Sequence, residues 1–420
     1  MKKKIILFDH NSKFNYILEE IIKLDVEVFC INNPTNIQLN KYVTVFYVDY
    51  LNQPIDALNE IEKIHEKYNF NGILCFAEYA LSFVSKLSGS LGLRFISSKA
   101  IENTRNKSLL KECFFINGVK TSKYIVVNSE KEIREEKLKN LCYPLVIKPS
   151  RGMGSMGVIR ANNYGELINA AKIVNEFNEK RLNNLIENDR VDRGKIVIEE
   201  YIDGKEYAVE TFSLNGQVLI LSIGYKGYPV GPYFEESIYI AKSQLESEIL
   251  QKIEHTVTTA VIAANIIDGP AHVELRVNQD GEPYILEIGA RIGGSGVSHF
   301  IVKETTGINF VDVCLKLALG QKIDINNDFK IVKEKYACNY IVQIGEGGNL
   351  KELEGIDEIR QHNDTYEIFL MDCIGKDYYP YPKGAFFNGY PGFIFSIHDT
   401  YNQAVEYVDY LDKTLKLKFN

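Results

Sequence analysis

Ala271-His-Val-Glu-Leu-Arg-Val-Asn-Gln-Asp-Gly-Glu-Pro-Tyr-Ile-Leu-Glu-Ile-Gly289 holds two β-rich runs around Asp280-Gly281, a strong hairpin signal. With Asp280-Gly281 as a two-residue turn, Val277 faces Tyr284, Leu275 faces Leu286 and Val273 faces Ile288, giving one apolar face. The other face sets Arg276 against Ile285, Glu274 against Glu287, and His272 against Gly289. Directly opposed like charges destabilise a sheet. At about 5 Å their repulsion is on the order of 1–3 kcal/mol. A hard dication relieves it, and Mg2+ is commonly held by one or two carboxylates plus phosphate oxygens. Solvation, or neutralisation by Arg276 and Arg291, relieves it too, so the pair alone leaves both readings open.

Upstream, Lys148-Pro-Ser-Arg-Gly152-Met-Gly154-Ser-Met-Gly157 contains the string GxGxxG. A dinucleotide fingerprint needs a helix after that string. Val158-Ile-Arg-Ala161 reads as a strand instead, so the dinucleotide reading fails, and no GxxxxGK[ST] occurs. What remains is a glycine-rich loop between two strands. Its N–H groups and Ser155 can fold over phosphates, with Lys148 as a point charge beside them. A flexible turn with a surface lysine is the plainer alternative.

Ile196–Glu210 reads as a strand, a tight Asp203-Gly204 turn and a second strand. Glu199, the Ile202 backbone and Glu206 are spaced to meet a purine and its ribose, although acidic residues beside a turn are more often simply solvated. Gly293-Gly294-Ser295-Gly296 offers bare amides as an anion nest, or a plain loop entering a helix. Gly224–Glu236 reads as a lid whose Glu235 meets a substrate ammonium, or as an ordinary long loop. His272, on the carboxylate face, is placed to touch substrate or phosphate; a lone histidine is also often structural.

Residues 1–100 alternate strands (Lys4–Phe8, Val26–Ile31, Val43–Val48, Gly72–Phe76) with helices (Phe14–Leu24, Ile55–Tyr68, Tyr79–Leu91). That rhythm predicts an open parallel sheet. Lys99–Asn117 reads as one helix, Leu245–Ala264 as another, and Lys180–Arg193 as a solvated connection. Strands at Tyr336–Ile344 and Glu367–Cys373 and a helix at Thr400–Leu415 follow. The expected division is 1–100, 101–195, 196–330 and 331–420.

A formal net charge of −8 argues against broad nucleic-acid binding. The seven cysteines have no CxxC spacing, which fits free thiols in a reducing cytoplasm. The apolar run of Met1–Asp9 is too short for a signal sequence, and no stretch approaches the roughly 20 apolar residues of a membrane span.

In chain order, Asn103-Thr-Arg-Asn-Lys107-Ser-Leu-Leu-Lys, Val146-Ile-Lys148-Pro, the glycine loop, Glu199-Glu-Tyr-Ile-Asp-Gly, Gly269-Pro-Ala-His-Val-Glu274-Leu-Arg and Glu287-Ile-Gly-Ala-Arg291-Ile-Gly-Gly-Ser resemble the ATP-grasp superfamily. Gly345–Ile356 and Gly389–Phe393 resemble the tail of carboxylate–amine ligases such as the L-amino-acid (dipeptide) ligases. The resemblance implies an N-terminal open parallel α/β domain, an ATP-grasp fold of two α+β lobes, and a C-terminal α/β extension. It implies a ligase that activates an amino-acid carboxylate as an acyl phosphate, joins it to an amine, and releases ADP and phosphate. Lys107, Lys148, Gly154 and Ser155 would then hold ATP phosphates, Glu199 and Ile202 the adenine, and Glu206 the ribose. Glu274 and Glu287 would hold Mg2+, with Mn2+ as a substitute, and Arg291 would steady the acyl phosphate and tetrahedral intermediate. Glu235, His272, Gly293, Gly294 and Ser295 would meet the small-molecule substrates, and a homodimer is compatible. Two positions depart from the family: Gly289 stands where an Asn metal ligand is common, and Asn106 where an Asp is. A carboxyphosphate enzyme of the purine-biosynthesis or biotin-carboxylase type, or a non-catalytic ATP-binding regulator, are the alternatives.

Overall fold

A computed structural model describes residues 2–10, 16–37, 40–184, 194–228, 231–234, 236–371, 373–380 and 390–420. Lys3–Phe8 (β1), Val26–Asn32 (β2), Thr44–Tyr47 (β3) and Gly72–Cys75 (β4) form a parallel sheet in the order β3-β2-β1-β4. A parallel sheet is covered on both faces, which is why Ile5, Ile6, Leu7 and Phe8 are all buried in succession. Glu78 follows β4 directly, at the carboxyl end of the sheet.

The single helix expected over Lys99–Asn117 is two helices, Ser98–Arg105 and Lys107–Ile116, broken at Asn106. Asn106 Oδ1 accepts the N–H groups of Ser108 (3.0 Å) and Leu109 (3.3 Å) and the hydroxyl of Ser150 (2.7 Å). A short amide side chain that caps a helix outcompetes continuation through it. The break starts the second helix at Lys107, against the glycine loop.

Tyr124–Val127 (β5), Leu145–Pro149 (β6), Ile159–Ala161 (β7) and Ile196–Glu200 (β8) make an antiparallel sheet, β5-β8-β6-β7. The glycine loop joins β6 to β7, two strands, as its context predicted. Helix Tyr164–Asn184 covers this sheet around a separate core of Leu145, Ile147, Ala171, Val174 and Ile198. Within the expected connection Lys180–Arg193, residues 185–193 lie outside the described ones.

The second lobe is built on Gly204–Leu214 (β9), Gln217–Gly227 (β10), Ile238–Ala241 (β11), Gly269–Asn278 (β12) and Pro283–Gly289 (β13). Tyr336–Ile341 (β14), Thr365–Leu370 (β16) and Gly392–His398 (β18) extend the same antiparallel sheet, β13-β12-β9-β10-β11-β14-β18-β16. Gly348–Glu354 (β15), Asp377–Tyr378 (β17) and Lys416–Phe419 (β19) form a small third layer, β17-β15-β19. Helices Val297–Thr306 and Phe310–Ala318 are mostly buried. No described helix is long and apolar enough to cross a membrane, and all seven cysteines are free.

Two expected turns differ from the structure. At Asp203-Gly204 the chain does not double back: β8 belongs to one sheet and β9 to the other, so residues 201–203 cross between the lobes. Gly204 is required by a close approach, since a Cβ there would lie 2.0 Å from the Val277 carbonyl oxygen. In the β12–β13 hairpin, His272–Gly289, Val273–Ile288 and Glu274–Glu287 pair as expected. Nearer the loop the register slips by one, to Leu275–Ile285, Arg276–Tyr284 and Val277–Pro283. The connection is not the two-residue Asp280-Gly281 turn. Asn278 N–H donates to the Glu282 carbonyl at 3.0 Å, closing a longer loop with Gly281 at φ +72°. A bulge at Leu286 absorbs the extra residue. Ile285 therefore takes the core position, and Leu286 turns into the cleft.

Candidate active site

A cleft of about 550 Å³ separates the two lobes. Lys107, Lys148, Gly154 and Ser155 line it from the first lobe and its entry helix; Glu199, Ile202 and Glu206 line it at the crossing. His272, Glu274, Glu287, Arg291 and Gly294 line it from the hairpin and the loop beyond. Gly293 stands behind the wall, where a Cβ would meet Ser298 Oγ at 1.9 Å and His272 Nδ1 at 2.9 Å. Ser295 belongs to the single turn Gly294–Gly296, and its side chain lies outside the described residues, as does Glu235.

The cleft face of β12 carries His272, Glu274 and Arg276, and the β9 register sets Glu210, Ala208 and Glu206 beside them. Small Ala208 leaves room over Glu274, while each cationic neighbour has a carboxylate. Glu210, fully buried, accepts from His272 Nδ1 (2.7 Å), Ser298 (2.6 Å) and Tyr239 (2.8 Å). Burial opposes a charge on His272, yet the carboxylates of Glu210 and Glu274 prevail and raise its pKa to about 9.

Glu274 and Glu287 do face each other, but the neutralising cations are lysines. Lys226 lies 2.7 Å from Glu274, and Lys107 lies 2.8 Å from Glu287. Arg276 and Arg291 are engaged elsewhere, with Glu206 and Glu78. Lys226 is itself buried among Glu236 (2.8 Å), Glu274 and Glu206 (3.5 Å), which hold its ammonium charged against the cost of burial. The two glutamates are 25% and 31% exposed. In each, only Oε1 has a protein partner among the described residues. Two facing carboxylate oxygens open to a cleft suit Mg2+, which takes few protein ligands and completes its shell with phosphate and water. No group of three or more candidate ligands occurs among the described residues, so phosphate would have to complete the set.

Glu199 is buried, and its carboxylate accepts from Lys148, from Lys111 at 2.6 Å and from Ser122 at 2.8 Å. Burial raises its pKa, but the two ammoniums win and hold it at about 2. Its carboxylate thus holds Lys148 in place. Burial, helped by the like charge of Lys148, lowers the Lys111 pKa to about 8 despite Glu199.

Glu78 comes from the N-terminal sheet and contacts both Arg291 and Arg105 (3.1 Å). Burial works against its charge, yet the two guanidiniums hold the carboxyl at about 2, below the usual 4.5. A depressed carboxylate adds stability that is full above the unfolded value and drains as pH falls toward the folded one. Glu78→Gln is therefore expected to cost about 3 kcal/mol at pH 7. The gap to wild type should narrow between pH 4.5 and 2. Urea midpoints at several pH values test this; a gap constant with pH removes the ion-pair account.

Three cleft residues were not foreseen. Glu78 had a signal: open α/β sheets bind ligands beyond the carboxyl ends of their strands. Lys226 had a weaker one, a lysine in the apolar strand Ile223-Gly-Tyr-Lys226. Glu236 had none beyond its place at the end of the Gly224–Glu236 segment.

Residues 141–299 match the ATP-grasp domain family. The crystal structure of an L-amino acid ligase from Bacillus licheniformis superposes with a TM-score of 0.90 at 34% identity, covering 100% of this chain and 99% of that one. D-alanine–D-alanine ligase B of Clostridium perfringens is 27% identical over 335 residues, 77% of this chain and 96% of that protein. The carbamoyl phosphate synthase large chain of Methanosarcina barkeri is 26% identical over 305 residues, 69% of this chain but only 27% of that longer protein.

Proposed function

This chain belongs to the ATP-grasp superfamily, and from that membership we propose that it is an ATP-dependent carboxylate–amine ligase acting on amino acids. A substrate carboxylate oxygen attacks the γ-phosphorus of ATP, the bond to ADP breaks, and an acyl phosphate forms. A neutral amine nitrogen then attacks the acyl carbon, the acyl carbon–oxygen bond breaks, phosphate leaves with that electron pair and the former carboxylate oxygen, and the nitrogen gives up a proton to solvent. The observation that carries this reading is the gathering of Lys107, Lys148, Glu274, Glu287 and Arg291, from well-separated segments, on one cleft.

Phosphoryl and acyl transfer of this kind ask for positioning and charge neutralisation more than for covalent work by the protein. Lys107 and Lys148 supply fixed charge for the phosphates, with Glu199 holding Lys148 in place. Glu274 and Glu287 would hold Mg2+, which when bound offsets phosphate charge. Glu206 accepts from the ribose, and the Ile202 N–H, which has no partner among the described residues, meets the adenine edge. Arg291 faces the developing negative charge of the acyl phosphate and of the tetrahedral intermediate. The free cysteines support a reducing, cytoplasmic setting.

The test is phosphate release from Mg-ATP across single and paired amino acids, with mass spectrometry of the products. Condensed product together with ADP is the expected result; no pair above background would sink the amino-acid reading. Carboxyphosphate chemistry is the second reading, favoured by the match to carbamoyl phosphate synthase. Bicarbonate-dependent ADP release without any amino acid would support it instead.

A further inference from the structure

Arg276 is absent from every role assigned so far, yet it binds three separate pieces of the cleft. It lies on the same face of β12 as Glu274, and its side chain is 7% exposed. The β12–β9 register places it directly beside Glu206. Nε and one terminal nitrogen of its guanidinium both reach Glu206 Oε2 at 3.0 Å. The other terminal nitrogen donates to the Ile202 carbonyl at 3.2 Å. Its central carbon stands 5.0 Å from the ring centres of both Tyr201 and Phe234, which lie nearly parallel to each other.

We infer that Arg276 is a positioning residue that makes this cleft prefer ribonucleotides over 2′-deoxyribonucleotides. The inference rests on the reading of Glu206 as the ribose acceptor. The fork on Oε2 leaves Glu206 Oε1 for another donor. Lys226 is the nearest competing cation, at 3.5 Å from that oxygen, and it already serves Glu236 and Glu274. Without the fork, Lys226 is the one cation left beside the carboxylate among the described residues, and Glu206 turns toward it, away from the crossing segment. Arg276 also fixes the crossing itself. Glu200 N–H and Tyr201 N–H are bound to Lys123 and Pro144 carbonyls at 2.9 and 3.0 Å. With the Ile202 carbonyl held by Arg276, the crossing is pinned on both sides of the Ile202 N–H, which has no partner among the described residues. Lysine cannot replace the fork, because its ammonium is a point charge without two fixed parallel donors.

Calorimetric titration with ADP and 2′-deoxyADP tests this, alongside KM values for ATP and for the amino-acid substrates. Wild type is expected to bind ADP about tenfold more tightly than 2′-deoxyADP, the effect of one hydrogen bond to a charged group. Arg276→Met and Arg276→Lys should each bring that ratio to within about twofold and raise KM for ATP about tenfold, leaving the amino-acid KM values in place. If Arg276→Met fails to fold, Arg276→Lys decides alone. A ratio kept at the wild-type value in folded Arg276→Lys overturns the inference, because a purely structural arginine would not move it. Glu206→Gln separates the two layers. If Glu206→Gln abolishes the preference and the Arg276 variants keep it, only the role of Arg276 falls. If wild type shows no preference, the ribose reading of Glu206 falls and takes this inference with it.

Discussion

Arg291→Met is expected to lower kcat by about a thousandfold while moving KM for ATP by no more than a few fold. Preorganised donors aimed at developing charge are worth about 10²–10³ in kcat each, and a guanidinium adds full charge to that effect. Arg291 is fixed for the task. Its Nε is held by Glu78, and one terminal nitrogen donates to the Ile292 carbonyl at 3.0 Å. The other terminal nitrogen has no protein partner among the described residues, and the residue lines the cleft. Arg291→Lys should recover only part of the loss, since it keeps charge and gives up the planar fork. Pre-steady-state quenching, which separates acyl-phosphate formation from product release, reads where the loss falls. A kcat within a few fold of wild type would remove Arg291 from the chemistry. Gly289, where the family commonly has Asn, acquires a physical context here. A Cβ at that position would lie 3.4 Å from Glu78 and 3.6 Å from the Arg291 guanidinium carbon. A side chain there would start in van der Waals contact with the Glu78–Arg291 pair.

Glu287→Gln is the second large effect. It removes one of two facing carboxylates and leaves Lys107, 95% buried at its side chain, without its 2.8 Å partner. Metal affinity should fall by at least tenfold, and kcat/KM for ATP by about a hundredfold or more. The direct readout is Mn2+ binding in the presence of ADP, followed by electron paramagnetic resonance, with the Mg2+ concentration for half-maximal rate beside it. If both stay at wild-type values, Glu287 is not a metal ligand. Glu287→Asp, which keeps the charge on a shorter arm, should lie between the two.

Much of this site was legible because it depends on local pattern. The facing pair Glu274–Glu287 followed from alternation in two short strands. The glycine loop was separated from a dinucleotide motif by the strand that follows it. What was hidden depends on distant partners. Asn106 looks like any polar residue inside a helix until Ser150, from another segment, meets it at 2.7 Å. Glu78 reaches the cleft only because the N-terminal sheet packs against the second lobe in one continuous core that joins Ile73 to Val209 and Ile288. Lys226 is surrounded by carboxylates from three different strands and loops, none adjacent to it in sequence.

The hairpin was read correctly at its functional end through two departures that cancel. The loop is one residue longer than a tight turn, and the bulge at Leu286 takes that residue back. Parity is what the strand conserves. Because the bulge residue Leu286 is supernumerary to the pairing, removing it would leave Ile285 opposite Leu275 and Glu287 opposite Glu274, in plain alternation. Removing one residue of the loop would leave Asn278 opposite Glu282 across a two-residue turn. The hairpin can therefore shed either surplus residue without parting its two carboxylates, a tolerance to length that a residue-by-residue substitution scan would not reveal.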